Sequence, residues 1–184
     1  MGGSPQVPID VDAETGIWRT DGLPMVYLPR HFLVNNHVAV EEALGRDAYR
    51  AILRVATEKS AVHWCRAEMK THGLTAEATF RHYFNRLSQR GWGRFAVDLI
   101  DTTRRRGAIT LQNSIFTLEA DRRASVGEAR GDAPLCYMFE GFMTGAFRFL
   151  LEAEGQDHAV TCSETRCAGD GTHPDCGFAF GASG

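Results

Sequence analysis

Hydrophobic spacing divides this chain into stretches of different period. After Asp47, the residues Tyr49, Ile52, Leu53, Ala56, Ser60, His63, Trp64 and Ala67 recur at helical spacing, while Arg50, Arg54, Glu58 and Lys59 take the other side. This predicts a long helix that Gly73 closes. Thr75 is placed to cap the next helix, whose buried side holds Phe80, Phe84 and Leu87, and Arg90-Gly91 ends it. The period then falls to two. Phe95, Val97 and Leu99 alternate with Arg94 and Asp98, and AITLQNSIFTLEAD alternates again. The two runs predict a hairpin, with Arg104-Arg105-Arg106-Gly107 as a solvated turn. The polar stretch 121–132 reads as an exposed loop. Pro134 opens a further helix, LCYMFEGFMTGAFRFLLEAEG, with Gly141 and Gly145 one turn apart. Glycines there weaken a helix, so a close neighbour is the expected compensation. Two short strands, HAVTCSE and CGFAF, complete the chain.

The start is less regular. Residues 1–22 read as an extended arm punctuated by Pro5, Pro8 and Gly16. LPMVYLPRHFLVNNH is apolar but carries Pro24 and Pro29, so it is not one regular element and is suited to lie across a partner surface. Asn36 is the expected cap of a short helix that ends at Gly45. Residues 23–184 form one domain. Helices, hairpin, helix and hairpin in that order give an α+β class.

Composition changes this picture little. The chain has 184 residues, 43% hydrophobic and 23% charged, with net charge -3 and pI about 6.2. No global basic field invites nucleic acid or an acidic membrane surface. No apolar run reaches the length of a membrane span. The N-terminus lacks the basic and apolar regions of an export signal, so a cytoplasmic location is expected. Five cysteines are an odd number, and three cluster near the end, which points to metal or thiol chemistry in preference to disulfides.

The strongest chemical signal is CSETRCAGDGTHPDC. Glu164 and Cys167 flank two residues, so a tight turn aims a carboxylate and a thiolate at one point. Gly169 and Gly171 let the loop fold back and return Cys176 to the same place. Thiolates with one harder ligand favour zinc over magnesium or calcium. Cys136 is the best candidate for a fourth ligand. Cys162 is an alternative to Cys136, and His173 an alternative to Glu164. A closed four-ligand site leaves no position for substrate, so this zinc is expected to be structural.

These residues carry a resemblance. CYMFEGFMTGAF with Cys136, Gly141 and Gly145, followed by Glu164, Cys167, Gly171 and Cys176, resembles the 4-vinyl reductase domain family, which includes the sensor domains of phenol-responsive activators. GWGRF and NSIFTLEA match the strand pair of these domains. The resemblance implies zinc on Cys136, Glu164, Cys167 and Cys176. The segment from LPMVYLPRHFLVNNH through HWC is similar to a stand-alone bacterial subgroup associated with catabolism of methylated amines such as dimethylglycine and betaine. The implied fold is a helical layer on a twisted antiparallel sheet, similar to transport-protein-particle subunits and nitric oxide sensor domains, and commonly a homodimer.

The family binds small apolar or aromatic molecules between helices and sheet. Here His63, Trp64, Trp92, Phe95, Phe116, Tyr137, Met138 and Phe142 are the residues expected to line such a pocket, although each alone also reads as core packing. His82 reads as a core histidine, His31 with His37 as a candidate second polar site, and Cys65 as a buried thiol. The expected function is a small-molecule-binding sensor or accessory protein that takes an apolar, aromatic or amine ligand. Without an ATPase module or a DNA-reading helix, it needs a protein partner. A reductase-type enzyme or subunit and a scaffold are the alternatives. Neither a dinucleotide motif nor a nucleophile triad supports the enzyme reading.

Overall fold

A computed structural model describes residues 7–127 and 134–182. The N-terminal stretch forms a small antiparallel sheet of β1 (Asp10–Val11), β2 (Trp18–Thr20) and β3 (Leu23–Met25). Three helices follow: α1 (Arg30–Leu44), α2 (Arg46–His72) and α3 (Ala76–Gln89). A second sheet, in the order β4-β5-β7-β6, is antiparallel throughout. Its strands are β4 (Arg94–Asp101), β5 (Arg106–Gln112), β6 (Val160–Arg166) and β7 (Cys176–Ala182). Two more helices, α4 (Ile115–Ser125) and α5 (Met138–Ala153), stand between β5 and β6 in sequence. The class is α+β, as expected.

Helix α5 is the centre of the molecule. It packs on α2 and α3 on one side and on β6 and β7 on the other. Apolar side chains around most of its circumference make this possible: Met138, Phe139, Met143, Phe147, Leu150 and Leu151 are all buried. Phe147 meets Phe80 of α3 and Phe180 of β7 at ring separations of 6.2 and 4.9 Å. The two glycines on α5 face α2. A Cβ on Gly145 would lie 2.3 Å from the Glu58 carbonyl oxygen, and one on Gly141 would lie 2.0 Å from Thr57 Oγ1. The close neighbour that these glycines implied is the α2 backbone.

Several elements differ from the sequence expectation. Helix α1 starts at Arg30, with Pro29 as its cap, and Asn36 is an exposed residue inside it. Leu33 and Val34 before Asn36, and His37 and Val38 after it, keep one helical phase, and Pro29 needs no backbone donor at a helix start. The buried stripe of α2 is Tyr49, Thr57, Ala61, Trp64, Cys65 and Glu68, while Ile52 and His63 are exposed. The stripe is rotated because polar residues of α2 find partners on α5. Arg50 pairs with Glu140, and Glu58 pairs with Arg148. The second alternating run breaks at Asn113, which has φ 53°, and Ser114 then caps α4 by accepting a hydrogen bond from Phe116 N at 3.3 Å. NSIFTLEA is therefore mostly helix, and part of the expected 121–132 loop belongs to α4. Residues 128–132 of that loop lie outside the described residues. Pro134 precedes α5 by four residues and does not open it.

Gly145→Ala tests the α2–α5 contact. The substitution gains about 1 kcal/mol of helix propensity, but it collides with backbone. We expect a net loss of about 1–3 kcal/mol, read as a lower urea midpoint at unchanged slope.

Candidate metal centre and ligand cavity

The end of β6, the loop after it and the coil before α5 meet at one point. Cys136 lies two residues before α5, Glu164 is on β6, Cys167 follows β6, and Cys176 begins β7. One ligating atom from each lies within 4.8 Å of every other. Cys136 Sγ is 3.5 Å from Cys176 Sγ, and Cys176 Sγ is 3.9 Å from Cys167 Sγ. Metal–sulfur bonds of about 2.3 Å in a tetrahedral site put sulfurs about 3.8 Å apart, so the spacing already matches a bound ion.

The surrounding backbone is built to carry negative charge there. Leu135 N and Gly169 N each donate to Cys167 Sγ at 3.4 Å, and Ala168 N donates to Cys176 Sγ at 3.3 Å. A short 3-10 turn at Ala168–Asp170 supplies two of these donors, and Gly171, at φ 76°, lets the chain reverse after it. Cys136 N donates to Glu164 Oε2 at 2.9 Å. Glu164 Oε1 is buried without a partner, and a cation is the contact it lacks. The donor set is three soft thiols and one carboxylate, which fits a borderline metal. The cluster can hold a metal ion.

The carboxylate is aimed by a chain of contacts from α2. Arg50 Nη2 and Nε donate to the two oxygens of Glu140 at 2.5 and 2.9 Å, and Glu140 Oε1 accepts from Glu164 N at 2.9 Å. Ser114 Oγ lies 3.0 Å from Cys136 Sγ and is fully buried. Sequence reasoning missed Glu140 and Ser114. The capping position of Ser114 was a usable signal. The two alternative ligands stand apart: Cys162 Sγ meets Met143 Sδ, and His173 pairs with Asp170 in an exposed loop.

Ionisation follows from this geometry. Contacts from the Cys136 and Cys176 thiols hold Cys167 as the thiolate, well below the usual thiol range. Burial pushes the Cys136 thiol up, and Cys176 is raised with it. Burial, reinforced by the Cys167 thiolate, raises Glu164 to about 9. Without an ion the cluster therefore keeps most of its protons at neutral pH.

The residues expected to line a pocket divide into groups. Trp92, Phe95, Phe116 and Phe142 surround Phe139 at ring separations of 5.9, 5.3, 5.6 and 6.2 Å. Trp64 lies elsewhere, between α2 and α3, stacked on His82 and beneath the Arg90 guanidinium. Tyr137 packs on His37 and Tyr49 and donates to Glu41, and the Met138 carbonyl accepts from Thr57. His63 points to solvent and joins none of these. His31 is also exposed, whereas His37 is buried among Tyr49, Phe116 and Tyr137, and burial draws its imidazole down to about 4. The two do not form one site. Cys65 is buried, and burial raises its thiol.

A cavity of about 480 Å³ opens next to the Phe139 group. Trp92 and Ile115 form its inner wall, and Trp18, Met25, Tyr27 and Leu33 form the outer one. Arg19, Arg30 and Arg90 also reach it. Of the eight expected pocket residues, only Trp92 lines this cavity. The outer wall comes from the N-terminal sheet, the coil after it and the start of α1, and the part up to residue 22 is what the sequence read as an extended arm.

The profile of a domain of unknown function, DUF5943, matches residues 3–98, just over half of the chain. The chain belongs to the DUF5943 family. That match spans nearly all of the cavity wall. No curated protein matches the chain. Among solved structures, the DUF5943 protein is similar to the phenol-responsive sensory domain of the transcription activator PoxR with phenol. The two are 20% identical with a TM-score of 0.73, over 95% of this chain and 84% of that one. It is also similar to trafficking protein particle complex subunit 3 from Naegleria fowleri, covalently bound to palmitic acid. That match has 13% identity and a TM-score of 0.53, over 84% of this chain and 95% of that one. Both likenesses establish the fold. Among the described residues, no helix is long and apolar enough to cross a membrane.

Loading the cluster at pH 7 should release one proton each from Cys136, Cys176 and Glu164, because all three stand above pH 7 in the free site. Calorimetry of metal binding in buffers of different ionisation enthalpy reads this number. Affinity should fall steeply as pH falls, since each proton competes with the ion.

Proposed function

We propose that this DUF5943 protein is a small-molecule-binding sensor or accessory protein of the 4-vinyl reductase type, built around a structural zinc ion. The reading is carried by one juxtaposition. The cavity backs onto the aromatic group around Phe139, and Phe139 is three residues after Cys136. Zinc on Cys136, Glu164, Cys167 and Cys176 would fix the start of α5 and so the floor beneath the ligand. The ion would be structural because four protein ligands close its coordination.

The cavity chemistry suits a small molecule with an apolar or aromatic body. Trp18, Tyr27 and Trp92 offer ring faces, which also attract methylated ammonium groups. Arg19 and Arg90 would suit a carboxylate on the same molecule. This combination favours zwitterions such as dimethylglycine or betaine, in keeping with a role in methylated-amine catabolism in the cytoplasm. A signal from such a domain needs a protein partner, and we expect a homodimer. The exposed run Val26, Tyr27 and Leu28, with Phe32, is one apolar surface suited to either contact. Among the described residues that line the cavity, the side chains are mostly aromatic, aliphatic and arginine, which suits binding better than nucleophilic catalysis.

Differential scanning fluorimetry of zinc-loaded protein against methylated glycines, amines and phenols tests the reading. A ligand at about one hundred times its Kd adds about 2.7 kcal/mol of stability, a readily measured rise in Tm. Trp92→Ala should abolish the rise while leaving the zinc content unchanged. No rise with any of these compounds would remove the sensor reading and favour a scaffold.

A further inference from the structure

A second group of side chains converges at metal-ligating distance, away from the cysteines. Asp21, Glu68, His72 and His82 each bring one ligating atom, all within 4.8 Å of one another. Three separate elements supply them. Asp21 is in the tight turn between β2 and β3, held at φ 53°. Glu68 and His72 are one turn apart on α2, and His82 faces them from α3. His82 Nε2 and His72 Nε2 lie 2.9 and 3.1 Å from the same oxygen, Glu68 Oε2. His72 Nε2 is also 3.5 Å from Asp21 Oδ1. Bonds of about 2.1 Å to a tetrahedral ion separate its donors by about 3.4 Å, so a small outward relaxation would seat one.

An independent observation points to a missing partner. The Glu68 carboxylate is 0% exposed, yet its Oε1 makes no hydrogen bond, and neither does Oδ2 of the buried Asp21 side chain. Two dehydrated carboxylate oxygens without donors are costly. Arg86 Nη2 donates to Asp21 Oδ1 at 3.0 Å and so orients that carboxylate, as an outer-shell partner does. Arg86 pairs with Asp21, and Arg90 lies close enough to feel both carboxylates, so metal selection rests on the imidazoles. Imidazole with carboxylate favours zinc, iron(II), cobalt or nickel over magnesium and calcium. His72 is about one-third exposed and gives the ion a way in. Nitrogens of Arg86 and Arg90 also lack partners, which makes a buried bridging water the competing occupant.

We propose that Asp21, Glu68, His72 and His82 bind one divalent transition-metal ion, independently of the cysteine centre. The ion would tie the N-terminal sheet to α2 and α3. Thr20 and Arg90, which line the cavity, lie beside these ligands, so the ion would also set one cavity wall.

Full-length protein, stripped of metal and dialysed against cobalt(II) and then metal-free buffer, tests this. We expect two ions per chain in the wild type and one in His72→Ala and in His82→Ala, each with a native circular dichroism spectrum. A variant with Cys136, Cys167 and Cys176 all changed to serine should keep an ion that lacks thiolate-to-cobalt charge transfer, which separates this site from failure of the cysteine centre. The wild-type content needs no variant. One ion per chain, carrying the full thiolate band, overturns the proposal and assigns the unpartnered oxygens to buried water.

Discussion

Helix α5 lies against α2 with only hydrogen atoms at positions 141 and 145, and the rest of the site depends on that approach. Any side chain there would meet α2 backbone within 3 Å. The short distance lets Arg50 reach Glu140, and Glu140 then holds the backbone of Glu164. A contact between two helices is thus converted into the position of a carboxylate on a distant strand. The same helix start carries Cys136 into the cluster. Packing at the helix pair and chemistry at the loop are one structure.

The cysteine cluster and the cavity are coupled through a few residues. Between Cys136 and Phe139 runs less than one helical turn, and Phe139 touches the four aromatic rings that back the cavity. Ser114 links the cluster to α4, because it caps that helix and stands beside Cys136 Sγ. Ile115 then lines the cavity. Contacts from the neighbouring thiols and backbone donors keep one thiolate at the cluster, and burial helps hold the remaining protons until a cation displaces them.

The N-terminal region completes the cavity from the other side. It is two short hairpins and a helix, and its apolar residues remain partly open: Tyr27 is 85% exposed and stacks on Trp18. Such a wall is held by few internal contacts. Asp21 fastens it to the helices by polar contacts to Arg86 of α3 and His72 of α2.

Sequence alone determined the α+β class, the helices around Trp64 and Phe84, the hairpin of β4 and β5, and Cys167 and Cys176 as thiols of one loop, while Cys136 and Glu164 stood beside Cys162 and His173 as alternatives. Those features are local, because they rest on period, on turn glycines and on ligand types spaced for a tight loop. Only the tertiary structure decided which face of α2 is inside, because Arg50 and Glu58 turn inward once α5 supplies their partners. It also decided that NSIFTLEA leaves the sheet at Asn113, since alternation persists by chance into a capped helix. The Glu68 and His72 pair, four apart on one helix, was readable in the chain. Its meeting with Asp21 and His82 was not, because three elements distant in sequence come together only when the domain packs.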